Sequence, residues 1–205
     1  MNALSSPEAL RIKLGEWFQK HGRQLPWRGA VSPYGVLVSE FMLQQTQVTS
    51  VIPYFNRWMK RFPNVQALAE APEDAVLQLW QGLGYYSRAR NLHKAAKAVV
   101  NRFGGEVPDD PAQLATLPGV GPYSAGAVAS FAFDKPAAAV DANIARVLAR
   151  FFNIHTPIDS PGGNRELWKR AVALLPSGTG GRLHTSALME LGALVCTPKK
   201  PGCLV

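Results

Sequence analysis

Apolar residues recur at three- and four-residue spacing along most of the chain, broken by short stretches rich in proline, glycine and polar residues. In residues 7–21, Leu10, Leu14, Trp17 and Phe18 form one stripe of an amphipathic helix, and Gly22 ends it. Ser32-Pro33 supplies a capping hydroxyl and then a proline at the first helical position. The helix it opens carries Val36, Leu37, Glu40, Leu43 and Gln44. Thr46 is placed to cap the next helix, which runs through Val48, Val51, Ile52, Phe55, Trp58 and Met59 until Phe62-Pro63 closes it. Short helices are predicted within residues 63–72 and 111–116. Longer ones are predicted after Tyr85-Tyr86, over 125–133, after Asp141, over 165–175 and over 185–195, with 159–164 a flexible turn. No stretch alternates apolar and polar residues for long, so the fold class is all-α.

Composition sets outer bounds. A chain of 205 residues, 47% hydrophobic, makes one good-sized domain or two small lobes. Its apolar runs fall well short of the roughly 18–20 residues that span a bilayer. The first residues show no basic segment leading into an apolar one. An intracellular, cytoplasmic monomer without a membrane partner is expected. Net charge +8 and pI near 9.8 suggest a polyanionic partner, with nucleic acid leading, although solubility alone accounts for a basic surface too. Two cysteines, Cys196 and Cys203, do not make a disulfide scaffold.

Three places carry candidate chemistry. Leu117-Pro118-Gly119-Val120-Gly121-Pro122 stops one helix and starts another. Gly119 and Gly121 allow backbone angles that other residues avoid, and free N–H groups at the second helix start suit a phosphate. An ordinary helix–helix turn fits the same letters. Glu40 shares a stripe with Val36, Leu37 and Leu43, where a carboxylate is costly to ionise and becomes a general acid near neutral pH. A rim position with the carboxylate in water is the alternative. Asp141 precedes a helix as a natural N-cap, which leaves one carboxylate oxygen for other work. Beside these, Gly84-Tyr85-Tyr86 leads into a helix with Arg88, Arg90, His93, Lys94 and Lys97, a mixture that suits a nucleic-acid backbone and exposed bases. A solvated basic face with both tyrosines in the core is the plainer alternative.

Six motifs in order resemble the catalytic region of adenine DNA glycosylases of the MutY type, within the helix-hairpin-helix glycosylases. They are Leu25-Pro-Trp-Arg28, Ser39-Glu-Phe-Met-Leu-Gln-Gln-Thr-Gln-Val48, Gly82-Leu-Gly-Tyr-Tyr86, Leu117-Pro-Gly-Val-Gly121, Val140-Asp-Ala-Asn143 and Glu190-Leu-Gly-Ala-Leu-Val-Cys196. The resemblance implies two helical lobes, a six-helix lobe over residues 25–135 and a second over 1–24 plus 136–205. It implies duplex DNA containing mispaired adenine as partner. The base would be flipped out before the bond to the sugar is cut.

The resemblance makes Glu40 the acid that protonates adenine N7 and Asp141 the carboxylate that stabilises the cation-like sugar. Tyr123 and Asn143 would assist them. Gln45 and Tyr85 would wedge into the base stack. Leu25, Trp27, Arg28 and Glu190 would line the adenine pocket, Arg88 would belong to the DNA-binding set, and Gly119 and Gly121 would hold a phosphate. The related endonuclease III family, which removes oxidised pyrimidines, has lysine where this chain has Tyr123, 18 residues before Asp141 (141 − 123). A tyrosine forms no Schiff base, so a monofunctional enzyme is implied. A pyrimidine-lesion glycosylase/lyase and a non-catalytic DNA-binding fragment are the alternatives.

Two departures stand out. The family's 4Fe-4S cluster takes cysteines spaced Cys-x6-Cys-x2-Cys-x5-Cys. Cys196 and Cys203 fit the first gap, and the third ligand would fall one position past Val205. A chain cut short, with two of four ligands and without the family's C-terminal domain that reads oxidised guanine, is therefore expected.

Overall fold

A computed structural model describes residues 7–29 and 32–203. Every regular element among them is a helix. The helices are α1 (Pro7–His21), α2 (Pro33–Leu43), α3 (Val48–Arg61), α4 (Val65–Ala69), α5 (Glu73–Trp80), α6 (Tyr86–Phe103), α7 (Pro111–Leu114), α8 (Pro122–Phe133), α9 (Ala142–Phe151), α10 (Pro161–Ala173) and α11 (Gly181–Leu194). Backbone contacts gather them into two compact units, one of residues 24–132 and one of the N-terminal segment to Arg23 with residues 133–205.

The unit of residues 24–132 is built around α2. Residues Tyr34 to Met42 are all buried, so α2 is enclosed on every side rather than along one stripe. Such a helix belongs in the interior of its unit. Ser32 caps it, its Oγ accepting from the Gly35 amide at 3.3 Å. Beneath it Trp58 packs edge-on against Phe62 and Trp80, and the Trp58 indole donates to the Tyr34 hydroxyl at 3.1 Å. Tyr34 in turn donates to the Phe62 carbonyl at 3.0 Å, which satisfies both polar groups out of water.

The other unit packs α1 and α11 with α9 and α10 over Leu14, Ile144, Leu148, Leu167 and Leu188. Leu10, Trp17 and Phe18, the rest of the stripe read in α1, pack partly buried against that core. Asp134 reaches across to the start of α11. Its two carboxylate oxygens accept from the Gly180 and Arg182 amides at 3.0 and 2.8 Å, capping a helix whose own N-cap is a glycine.

Three local expectations are corrected. Thr46 does not cap α3, because Gln47 takes that position and the Thr46 hydroxyl faces Gln44 and Arg88. Residues 161–164 belong to α10, opened by Ser160-Pro161 with the same cap-then-proline chemistry as Ser32-Pro33. Finally, α11 begins at Gly181, four residues before the apolar pattern becomes regular.

Candidate active site

The glycine hairpin joins α7 to α8. Only one of its two glycines is conformationally special. Gly119 sits at φ +79°, and a Cβ there would stand 2.7 Å from Asn91 Cβ and 2.9 Å from Phe41 Cε1. Gly121 has no left-handed φ, and open space surrounds the place of its missing side chain. Its carbonyl accepts from the Ala125 amide at 2.9 Å, which starts α8. The turn therefore presents exposed glycine backbone at a helix N-terminus, where amides and dipole favour an anion. Tyr123, partly buried, lies in the first turn of α8.

Glu40 is 4% exposed on α2, with Val36 and Leu37 buried beside it in sequence. The rim alternative is thus excluded. After α2 the chain turns through Gln45, exposed and left-handed at φ 55°. A second turn, before α6, holds Tyr85 in the same conformation at φ 47° and 62% exposed. Tyr86 is 38% exposed, so neither tyrosine is core. Leu25, Trp27 and Arg28 occupy a turn closed by the Arg28 amide on the Leu25 carbonyl at 2.9 Å. Trp27 packs edge-on against Phe55 at 5.3 Å.

Of the basic residues read in α6, Arg90, Lys94 and Lys97 stay exposed, whereas Arg88 and His93 are buried. Arg88 is 6% exposed and donates to backbone carbonyls, so its guanidinium is not a surface group for a phosphate. Burial lowers its pKa from the ordinary value. His93 is buried as well, and desolvation lowers its pKa too. Arg90 pairs with Glu73 at 3.1 Å, and Lys94 and Lys97 are left exposed.

In the other unit Asp141 caps α9. Its Oδ1 accepts from the Ile144 amide at 2.7 Å, and its Oδ2 accepts from Asn143 Nδ2 at 2.9 Å. Burial raises the Asp141 pKa from the ordinary 3.8. The Ile144 and Asn143 hydrogen bonds and the Arg146 charge oppose that rise without cancelling it. The sequence places Asp141 as an N-cap at a helix start, and the structure shows that capping carboxylate partly desolvated.

Arg146 extends the network. It donates to Asn143 Oδ1 at 2.9 Å, to the Gly192 carbonyl and to the Cys196 carbonyl, both at 2.6 Å. Neither Arg146 nor Gly192 was singled out in the sequence as part of a site. Glu190, on α11, is fully buried and accepts from Arg23 Nε at 2.5 Å, Nη2 at 3.3 Å and the backbone amide at 3.1 Å. It is thus a buried carboxylate held by an arginine whose own side chain is 40% exposed.

Cys196 is half-buried and Cys203 exposed, and both are free thiols. Cys196 Sγ accepts from Arg150 Nη1 at 3.3 Å. A four-iron cluster takes four thiolates as a rule, and the sequence holds two cysteines. Among the described residues no three His, Cys, Asp or Glu side chains gather as a metal site. The two thiols do not by themselves fit a whole cluster.

Solved structures of DNA glycosylases share this fold. One described as a thermostable thymine-DNA glycosylase superposes with TM-score 0.86 at 30% identity, covering 96% of this chain and 90% of that one. A non-covalent endonuclease III–DNA complex matches with TM-score 0.78 at 24% identity, covering 98% and 92%. Residues 38–171 match the HhH-GPD superfamily of base excision DNA repair proteins, and the chain belongs to that superfamily. Curated relatives include the adenine DNA glycosylase of Rattus norvegicus, 46% identical over 95% of this chain and 39% of the relative. Those of Buchnera aphidicola subsp. Baizongia pistaciae and Mycolicibacterium smegmatis are 42% and 43% identical over 91% and 94% of this chain, and 53% and 65% of theirs. The chain thus spans between about two fifths and two thirds of the length of these relatives.

No helix of the described residues is long and apolar enough to cross a membrane.

Proposed function

We propose that the chain hydrolyses the N-glycosidic bond of adenine mispaired with 8-oxoguanine or guanine, as a monofunctional DNA glycosylase. The observation that carries this reading is Asp141, a desolvated carboxylate oriented through both oxygens at the start of α9, following the glycine hairpin in the chain. The naming of relatives at 36–46% identity supports adenine as the base.

In this mechanism Glu40, enclosed in α2, delivers a proton to adenine N7. The C1′–N9 bond then breaks with its electron pair leaving on the base. Positive charge develops on the sugar, and the Asp141 carboxylate stabilises it. Water adds at C1′ and loses a proton, leaving an abasic site. Asn143 orients Asp141, and Tyr123 offers no amine to trap the sugar. Gln45 and Tyr85 enter the stack, Leu25, Trp27, Arg28 and Glu190 shape the base pocket, and amides at Gly119 and Gly121 hold a phosphate. Cys196 and Cys203 would supply two of the four thiolates of an iron-sulfur cluster, whose other ligands this sequence does not contain.

The test is base release from a duplex with one adenine opposite 8-oxoguanine, with strand breaks read with and without hot alkali. Breaks only after alkali support the reading. Breaks without alkali would favour a lyase. Release of thymine from a T·G mispair, and none of adenine, would move the substrate toward that named for the thymine-DNA glycosylase. Glu40→Gln should abolish release and leave duplex binding within about threefold, whereas a purely DNA-binding chain would show no release to lose.

A further inference from the structure

Gln45 and Tyr85 share an unusual property. Both are exposed non-glycine residues in the left-handed region, at φ 55° and 47°. That conformation is disfavoured for an ordinary L-residue, and it persists only where the surroundings over-determine it. Neither side chain is buried deeply enough to do so.

One buried group touches both turns. Arg88 Nη1 donates to the carbonyls of Phe41 at 3.3 Å, Met42 at 2.9 Å and Gln44, and to Thr46 Oγ1 at 3.1 Å. Arg88 Nη2 donates to the carbonyls of Leu83 at 2.9 Å and Gly84 at 3.2 Å. Each amino group of one rigid, planar guanidinium thus serves one turn. The acceptors flank Gln45 on both sides and immediately precede Tyr85. The guanidinium carbon also lies 5.4 Å from the centres of the Tyr85 and Trp80 rings. Trp80 closes the second turn by donating from its indole to the Gly84 carbonyl at 3.0 Å. Nε of Arg88 is buried with no partner among the described residues, so the guanidinium makes its hydrogen bonds through the two amino groups.

We propose that Arg88 is a positioning residue that locks Gln45 and Tyr85 into one preformed wedge for opening the base stack. Lysine is not an equivalent. A single ammonium on a flexible stem cannot serve both sets of carbonyls as a planar fork does. The proposal rests on the glycosylase reading, since a wedge needs a duplex to enter.

The experiment uses a duplex with 2-aminopurine beside the mispaired adenine, whose fluorescence rises when the stack opens. Fluorescence is read in a Glu40→Gln background, so that base loss does not contribute. In that background Arg88→Lys should bind the duplex within about threefold of its parent but lose most of the fluorescence rise. In the otherwise unchanged chain Arg88→Lys should slow single-turnover base release tenfold or more. Tyr85→Ala should lose the rise as well, and the Tyr85→Ala/Arg88→Lys pair should be no worse than Tyr85→Ala alone, because both act through one wedge. Thr46→Val, which removes one guanidinium contact without disturbing the interior, should show a smaller loss of the same signal and keeps the test open if Arg88→Lys fails to fold. A full fluorescence rise in Arg88→Lys, or in Thr46→Val where the lysine variant does not fold, overturns the proposal. So do strictly additive losses in the pair. If the unsubstituted chain releases no base and the Glu40→Gln parent gives no rise, the glycosylase reading itself falls, and the wedge with it.

Discussion

Asn143 donates from Nδ2 to Asp141 Oδ2 at 2.9 Å, two residues apart across the first turn of α9. The other Asp141 oxygen is occupied by the Ile144 amide. One short motif therefore caps a helix and aims a carboxylate at the same time. Those two roles can be separated by substitution.

Asp141→Asn keeps an oxygen for the Ile144 amide and removes a charge that burial disfavours. The folded pKa of Asp141 lies above its ordinary 3.8, so the folded state holds this proton more tightly than the unfolded chain. The stabilisation linked to that proton is complete below 3.8 and is lost as pH rises through the folded value. At pH 7 the asparagine variant should melt at or above the wild-type temperature, with the difference shrinking toward acid. Its base release should fall by about 100-fold or more. A drop of several degrees at pH 7 would contradict the desolvation argument. Asp141→Ala should instead lose roughly 1 kcal/mol with the cap.

Gly192 admits α11 to the start of α9. A Cβ there would stand 2.7 Å from Asn143 Cβ and 2.9 Å from the Asn143 carbonyl oxygen. Gly192→Ala should destabilise the protein by roughly 1–3 kcal/mol through overpacking. It should also slow base release beyond what a matched loss of stability causes, because Asn143 is pushed off Asp141. Denaturant melts and single-turnover rates of Gly192→Ala, compared with an equally destabilising core substitution, separate the two effects.

The hairpin glycines should respond unequally. Gly119→Ala meets both a left-handed φ and close contacts with Asn91 and Phe41, and a loss of roughly 1–3 kcal/mol is expected. Gly121→Ala enters open space and should change stability by less than about 0.5 kcal/mol. Equal losses in equilibrium unfolding would refute this asymmetry.

His184, buried on α11, has its pKa pushed down to about 4 by desolvation and then by Arg11. Its Nδ1 has no partner among the described residues. Between pH 4 and the ordinary 6.5 the unfolded chain binds the proton and the folded chain does not. Stability from this group is therefore full above 6.5 and lost as pH falls through 4, by roughly 3 kcal/mol in all. His184→Gln should remove about one proton of uptake on unfolding in that window, measurable from the pH dependence of the melting temperature. An unchanged slope would show that the imidazole titrates normally in the folded protein.

Sequence periodicity was enough for the helices that bury one face. The stripe of α1 and the apolar run of α3 follow from the 3.6-residue repeat, and Asp141 as a cap follows from the chemistry of its carboxylate. Start signals misled where two candidates competed. At α3 Thr46 had the better capping chemistry, yet its hydroxyl is engaged by Arg88, a residue 42 positions away. At α10 glycine and asparagine masked a helix that Ser160 and Pro161 announce.

The local order of the chain thus determined helix content, the glycine turn and the cap at Asp141, because each depends on residues within a turn or two of one another, whereas the burial of Glu40 was settled by the fold. Tertiary structure alone decided which charges are buried. It turned Arg88 from a surface cation into a clamp on two backbone turns. It paired Glu190 with Arg23, 167 residues distant in the chain, and tied Asn143 to Gly192 and Cys196 through Arg146. Desolvation and long-range hydrogen bonds depend on which segments meet in space, and no spacing rule within the sequence carries that.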